Sequence, residues 1–249
     1  MNIKKILLVL SLSLSLISCS SVNLPSVNLS AIELSAISPS DVQTEKILAL
    51  GLSHDQNLVE ARKIADPNIA SAVIKELNNR ILEDENNRIE LENVVKYAEM
   101  VKASDNNLKF VGTQISEKKS RNIVGKDENQ NYFLIGLKDK NNSSIHHKIN
   151  FSITYNLDAM RSYSSASFCD KWQGCENEDL INISLISSKA SGCNASTCNY
   201  TEVMELDLSD DFLRSNMEEG FSISFNSKKY SNKVIIPSSY IKGYLMVAN

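Results

Sequence analysis

The chain has 249 residues, a net charge of -4, and hydrophobic residues at 42% of its positions, which is enough for a globular core. The mild acidity argues against binding to nucleic acid or to an anionic lipid surface. Aromatic residues make up 6% of the chain, which is low for a carbohydrate-binding surface built on stacked rings, and the 8 glycines form no phosphate-binding loop.

The N-terminus has the pattern of a secretory signal. Lys4 and Lys5 precede an apolar run from Ile6 to Ile17 that is rich in serine and shorter than the roughly 20 residues of a membrane-spanning helix. The last four residues of this region, Leu16 to Cys19, resemble the bacterial lipobox. The resemblance implies that the signal peptide 1–18 is removed and that the Cys19 thiol carries a diacylglycerol. An ordinary secretory signal with an incidental cysteine is the alternative.

A lipidated Cys19 would anchor the chain to a bilayer. Two or more acyl chains, such as palmitate, hold a protein almost permanently because each buried methylene contributes about 0.8 kcal/mol. In Gram-negative bacteria, a serine such as Ser20 after the lipobox cysteine resembles the type sent to the outer membrane. We therefore expect a cell-envelope lipoprotein, on the outer membrane and facing the periplasm or the cell surface. The sequence leaves the choice of membrane open.

The segment that follows the lipidated cysteine, 19–40, predicts a flexible linker. It contains an approximate five-residue repeat that begins at Ser21 and is rich in serine. A solenoid of this period would need many more turns to bury a core. A polar, serine-rich tether is therefore the favoured interpretation.

Residues 41–104 predict a helical segment of one long or two helices. Ser40 and Gln43 have the spacing of a capping box, and a helix or broken helix should continue to about Ala65. Asp66 and Pro67 then supply an N-cap and a first-turn proline for a second helix that reaches about residue 102. Polar residues interrupt its apolar seam, so continuity over 67–102 stays open. The seam, which either packs within the chain or contacts a partner, consists of Ile74, Leu77, Ile81, Leu91, Val95 and Ala98.

Residues 105–249 predict an antiparallel β-sandwich, so the whole chain is expected to be α+β. Apolar and polar residues alternate without a fault from Ile145 to Leu157, as in a half-buried strand. Ser209 and Gly220 bound one short helix. The weaker strand candidates are 108–115, 131–138, 161–168, 180–187, 200–208, 221–226, 232–237 and 240–247.

The four remaining cysteines predict disulfides, because an even number lies in one region of an exported chain. Two local loops, Cys169–Cys175 and Cys193–Cys198, are the favoured pairing. Chain entropy assigns roughly 2 kcal/mol to each short loop and roughly 3.5 kcal/mol to a Cys169–Cys198 bond, which does not decide the connectivity. Neither spacing is that of a zinc knuckle, so no metal site and no cofactor are predicted.

The two disulfide loops form the candidate binding patch. Trp172 lies inside the first loop, where an exposed ring would be a binding anchor, or it packs over Tyr163 or Phe168. The other residues of the patch are Lys171, Glu176, Glu178, Asn194 and Thr197.

No catalytic residue is assigned, because the chain has no G-x-S-x-G, H-E-x-x-H or P-loop motif. His146 and His147 point to opposite faces of an alternating strand, and His147 shares the apolar face. The leading hypothesis is a non-enzymatic binding module with an envelope protein or cell-wall partner. The alternatives are a periplasmic hydrolase that uses His146 and a nearby carboxylate, and a structural spacer with a helical interaction seam.

Overall fold

The computed structural model describes residues 38–121, 126–142, 144–169 and 180–248. The chain divides into two compact units, Met1–Glu76 and Leu77–Asn249. The helices within the described residues are α1 Pro39–Leu48, α2 His54–Ala61, α3 Pro67–Glu99, α4 Asp210–Ser215 and α5 Ser238–Val247.

The described strands all pair antiparallel. They are β1 Lys102–Ala103, β2 Lys109–Val111, β3 Ile115–Arg121, β4 Lys126–Lys138, β5 Ile145–Leu157, β6 Ser165–Cys169, β7 Ile181–Asn182, β8 Ser184–Ser191, β9 Cys198–Leu208, β10 Phe221–Asn226 and β11 Ser231–Ile236. A seven-stranded sheet has the order β1-β2-β4-β5-β9-β8, with β3 paired to β4. A four-stranded sheet has the order β11-β10-β6-β7. The expected combination of helices and antiparallel strands is confirmed.

The described part of the first unit begins with two short capped helices. Ser38, rather than Ser40, is the N-cap of α1, and its hydroxyl accepts a hydrogen bond from the backbone N–H of Asp41. The predicted Ser40 capping box is therefore wrong, because Pro39 already occupies the first helical turn. A true capping box starts α2, where Ser53 and Gln56 satisfy each other's backbone N–H groups.

Helix α3 is continuous over 33 residues, about 50 Å. The predicted start is confirmed, since Asp66 Oδ1 accepts from the N–H groups of Asn68 at 2.8 Å and Ile69 at 3.3 Å. The polar interruption at Asp84 and Arg88 does not break the helix, because both side chains are exposed and need no buried partner.

The core of the second unit lies on the inner face of β5 and its neighbours. The alternation predicted for 145–157 is confirmed, with His147, Ile149, Phe151, Ile153 and Tyr155 buried. The ring of Phe151 stacks on that of Phe225 from the four-stranded sheet, with centroids 4.3 Å apart. The remaining core residues come from both sheets and from α5, including Tyr132, Leu134, Met204, Leu206, Ile223, Val234, Tyr240 and Ile241.

The predicted strand 240–247 is wrong, because these residues belong to α5. Tyr240, Ile241, Tyr244 and Leu245 are buried at helical spacing, which a strand cannot place on one face. Gly243 lets α5 approach α3: a Cβ there would lie 2.6 Å from the Val94 carbonyl oxygen and 2.7 Å from Tyr97 Cβ.

Other strands differ from the prediction in their bounds. β6 starts at residue 165 rather than 161, because the preceding segment is a loop held by side-chain contacts. The candidate 108–115 contributes to two strands, β2 and β3, and the candidate 180–187 contributes to β7 and β8.

A buried polar cluster centred on Arg161 connects the two sheets. Arg161 pairs with Glu128 of β4, and both side chains are almost fully buried. The Arg161 guanidinium also donates to Asn232 Oδ1 of β11 at 3.2 Å, and the Asn232 amide donates to Glu128 Oε2 at 3.1 Å. Tyr155 and Tyr163 complete the cluster, the first under the guanidinium and the second through its hydroxyl.

We expect Gly243→Ala to destabilise the protein by about 1–3 kcal/mol, because the new methyl group meets the backbone of α3 and forces the helices apart. Urea unfolding followed by circular dichroism measures this change. Met246→Ala is the control, since Met246 lies on the same helix and is 61% exposed, and it should change stability by less than about 0.5 kcal/mol. Equal effects of the two substitutions would contradict the close packing of α5 on α3.

Candidate functional site

The Cys193–Cys198 disulfide closes the connection between β8 and β9. This loop was one of the two predicted, and the bond is present. It excludes the long-range pairing of Cys169 with Cys198. Cys175 lies outside the described residues, so a Cys169–Cys175 bond stays a prediction.

The polar side chains of this loop form hydrogen bonds within the loop itself. Asn194 Oδ1 accepts from the backbone N–H groups of Ser196 at 2.9 Å and Thr197 at 2.8 Å, and the Asn194 amide lies 3.2 Å from Thr197 Oγ1. Asn194 and Thr197, both predicted to bind a ligand, therefore hold the loop in shape. The other members of the predicted patch, Lys171, Trp172, Glu176 and Glu178, lie outside the described residues, as does Cys19.

The ring proposed as an alternative neighbour of Trp172 has other partners. Phe168 packs against Phe212 of α4 with ring centroids 4.4 Å apart, and its edge lies near Phe221. The hydroxyl of Tyr163, the second proposed neighbour, belongs to the Arg161 cluster.

His146 is exposed on the outer face of β5, opposite Leu137. A cavity of about 530 Å³ lies between the β5–β6 loop and the β10–β11 turn, and another of about 330 Å³ lies beside β2 and β4. His146 lines neither cavity. The hydrolase hypothesis therefore gains no support from the surroundings of this residue.

His147 lies at the centre of a chain of hydrogen bonds that leads from the buried Tyr244 to the partly exposed Asp210 and Arg214. Its Nδ1 lies 3.0 Å from the Tyr244 hydroxyl of α5, and its Nε2 lies 3.1 Å from Asp210 Oδ1 of α4. Arg214 Nε donates to the other Asp210 oxygen at 2.7 Å. These contacts join β5 to two helices, and the side chain of His147 is fully buried.

The protonation states of the groups that contact His147 define its tautomer. The hydrogen bond from Arg214 lowers the pKa of Asp210, so the carboxylate accepts and His147 Nε2 carries the proton. Burial raises the pKa of Tyr244, so its hydroxyl stays protonated and donates to Nδ1. Burial also lowers the pKa of His147, which keeps the ring neutral at pH 7. The arrangement is that of a satisfied structural histidine.

The middle of α3 exposes large apolar side chains. Every residue from Ile81 to Ile89 is exposed, so this part of the helix is solvated on all sides within the described structure. At 100° per residue, five exposed apolar side chains lie on one half of the helix surface, between about 60° and about 240° from the buried Val94. They are Ile81, Leu82, Ile89, Leu91 and Val95, of which Leu82 is 60% and Leu91 66% exposed. We call these five residues the α3 apolar face.

A line of charges runs along the middle of the α3 apolar face. Arg88 pairs with Glu85 at 2.6 Å and with Glu92 at 2.5 Å, and all three side chains are more than half exposed. Leu82 and Ile89 lie on one side of this line, outside the apolar rhythm read from the sequence. Their signal was their mutual spacing of seven residues, which places Leu82 and Ile89 two turns apart on the same side of the helix.

Within the described residues, no helix is long and apolar enough to cross a membrane. The same residues contain no group of three or more histidine, cysteine, aspartate or glutamate side chains arranged to hold a metal ion.

The chain matches no known protein-family model, no curated protein and no solved structure.

We expect the free energy of unfolding to decrease as the pH is lowered below about 6.5, in part because of His147. Folding lowers the pKa of this residue, so the unfolded chain binds its proton more tightly, and the stability that neutral His147 provides is lost as the pH decreases. His147→Gln should flatten this dependence by up to about 1.4 kcal/mol per pH unit between pH 6.5 and 5. Urea unfolding at each pH measures the slope.

The neighbouring exposed histidine provides the matched control. His146→Gln removes an exposed histidine from the opposite face of β5 and should change the slope much less than His147→Gln, because repulsion from His146 is the weakest of the causes that lower the pKa of His147. If His146→Gln flattened the slope as much as His147→Gln, the burial of His147 would not be the cause of the pH dependence.

Proposed function

We propose that this protein is a membrane-anchored lipoprotein of the cell envelope that acts as a non-enzymatic binding module. The observation that carries the binding role is the α3 apolar face, five large apolar side chains exposed along one half of a long helix. Several large apolar side chains exposed together, here on either side of a line of charges, are typical of an interaction site. The partner is an envelope protein.

The anchor rests on the N-terminal sequence. The apolar run from Ile6 to Ile17 ends at Cys19 in a segment similar to the lipobox, and Ser20 fits an outer-membrane lipoprotein that faces the periplasm or the cell surface. The serine-rich linker, predicted for 19–40, would then separate the bilayer from α1, to which its last two residues, 39 and 40, belong.

We expect Cys19→Ala to abolish incorporation of radiolabelled palmitate and the mass increase of a diacylated N-terminus. Ser20→Ala, one residue further on, should leave both signals intact, because only the cysteine thiol accepts the diacylglycerol. Mass spectrometry of protein extracted from cells measures the modification. A wild-type chain with an unmodified Cys19 would disprove the anchor.

The charge pattern of α3 favours one kind of occupant, an amphipathic helix with basic residues beside its apolar stripe. Glu85 and Glu92 leave one net negative charge on the face after pairing with Arg88, and Asp84 adds another. A basic partner helix matches these charges, whereas an anionic membrane surface would be repelled. Burial of apolar side chains on both helices supplies the binding energy, at about 25 cal/mol per Å².

We also propose that the two antiparallel sheets form a β-sandwich. Two observations support it: the stacked Phe151 and Phe225 rings, and the hydrogen bond of 2.7 Å from the Tyr132 hydroxyl to the Ile235 carbonyl oxygen. Both contacts join the inner faces of the two sheets. The sandwich would give the module a rigid core from which α3 extends.

We expect a photoreactive benzoylphenylalanine at position 82 to form one discrete adduct with another envelope protein in intact cells. The same group at position 83 should form none, because Glu83 lies about 200° around the helix from Ile81 and points away from the α3 apolar face. Mass spectrometry of the adduct identifies the cross-linked segment, which should be an amphipathic helix flanked by lysine or arginine.

A second substitution tests whether the adduct depends on this face. Leu91→Asp should abolish the adduct from position 82, whereas Asn87→Asp, which adds the same charge outside the face, should preserve it. Leu91 is 66% exposed, so its replacement should leave the unfolding midpoint nearly unchanged. An adduct with the mass of two copies of this chain, or no adduct at all, would contradict the proposed partner.

A further inference from the structure

The cavity between the β5–β6 loop and the β10–β11 turn has the properties of a ligand site. Its volume of about 530 Å³ lies within the range of about 300–1,000 Å³ typical of small-molecule pockets. Residues 158–162 and Ser164 form one wall, and residues 228–230 form the other. None of these residues belongs to α3, so the site is independent of the proposed partner surface.

The first wall is held in place by buried groups. The backbone N–H of Arg161 donates to the Tyr155 hydroxyl at 2.8 Å, and those of Ser162 and Tyr163 donate to the Glu202 carboxylate at 3.3 and 3.2 Å. Glu202 is fully buried. Ser162 has a left-handed backbone with φ of 57°, a conformation that these hydrogen bonds maintain.

The second wall is the β10–β11 turn, which is closed by hydrogen bonds. The ring of Tyr230 in this turn packs on the Arg161 cluster. The Ser227 N–H donates to the Tyr230 carbonyl oxygen at 2.8 Å, and the Tyr230 N–H donates to Ser227 Oγ at 3.1 Å. The Tyr230 ring lies 4.4 Å from the guanidinium carbon of Arg161. Both walls therefore depend on Arg161, and the cavity is formed before any ligand arrives.

The rim of the cavity carries a net positive charge. Lys228 and Lys229 are exposed and form no ion pair with any other residue in the described part of the chain. Asp158 is the only carboxylate among the lining residues, and the charge of Arg161 is neutralised by Glu128. Among the residues that line the cavity, two lysines against one aspartate leave one positive charge, although the chain as a whole is acidic. The Glu202 carboxylate lies behind the first wall, where it is fully buried.

We propose that this cavity binds a small organic monocarboxylate with an apolar body. The carboxylate would lie between Lys228 and Lys229, with the exposed hydroxyls of Ser162 and Ser164 as additional donors. The apolar body would lie on the Tyr230 ring and beside Met160, which are half-buried in the lining. A monocarboxylate with an apolar body would use both the lysines and the surface of Tyr230 and Met160, whereas inorganic phosphate has no apolar body to place there.

The test is a ¹H–¹⁵N NMR titration of the full chain in a neutral detergent with 3-phenylpropanoate, phenethylamine and inorganic phosphate. We expect saturable shifts of Ser162, Lys228 and Tyr230 with 3-phenylpropanoate, no shift of these residues with phenethylamine, and binding at least about tenfold weaker with phosphate. The affinity for 3-phenylpropanoate should decrease with added salt, because the lysines are exposed.

Charge variants separate a built site from general attraction of anions. The double variant Lys228→Gln with Lys229→Gln should lower the affinity for 3-phenylpropanoate by about three- to tenfold, and Asp158→Asn should raise this affinity. Lys140→Gln with Lys189→Gln removes two other exposed lysines and should have no effect. Equal weakening by both lysine pairs, an unchanged affinity in the Lys228 and Lys229 variant, or no saturable shift with 3-phenylpropanoate would overturn the proposal.

Discussion

The second unit, Leu77–Asn249, depends on one constraint, the buried ion pair between Arg161 and Glu128. Each side chain is at most 5% exposed, so neither charge has access to water and each would be costly without the other. Asn232 bonds both partners and brings β11 of the four-stranded sheet to β4 of the seven-stranded sheet. Any displacement of one sheet relative to the other would leave a buried charge without its hydrogen bonds.

Tyrosine hydroxyls perform a similar role at the other side of the core. The Tyr240 hydroxyl accepts from the Leu134 N–H and donates to the Thr113 carbonyl oxygen, which positions α5 against β4. The Tyr244 hydroxyl positions α5 against β5 through its hydrogen bond with His147 Nδ1. Because these rings are buried with their hydroxyls satisfied, they specify one orientation of α5 that apolar packing alone would leave free. The few aromatic residues of this chain are thus largely used inside the fold.

Local patterns predicted the parts of the fold whose structure is decided locally. The alternation from Ile145 to Leu157 and the Asp66-Pro67 start of α3 required no knowledge of neighbours. In contrast, the segment around Tyr244 contains residues that favour strands, and its helix depends on burial of four side chains and on the approach of Gly243 to α3. The Arg161 cluster was also missed, because its members are separated by up to about a hundred residues in sequence and no spacing rule connects them.

The same distinction explains why the sequence indicated an apolar seam on α3 but could not indicate its exposure or the cavity beside the β5–β6 loop. No sequence pattern singles out Lys228 and Lys229, because their role depends on the β5–β6 loop that lies opposite them, and the position of that loop depends on Glu202 and Arg161. Leu82 and Ile89 would belong to an ordinary buried seam if the middle of α3 were covered by the described chain, and it is not. A core that is rigid through buried charges can leave a helix face exposed without losing its fold. The surfaces available for binding are therefore those that the buried polar groups do not need.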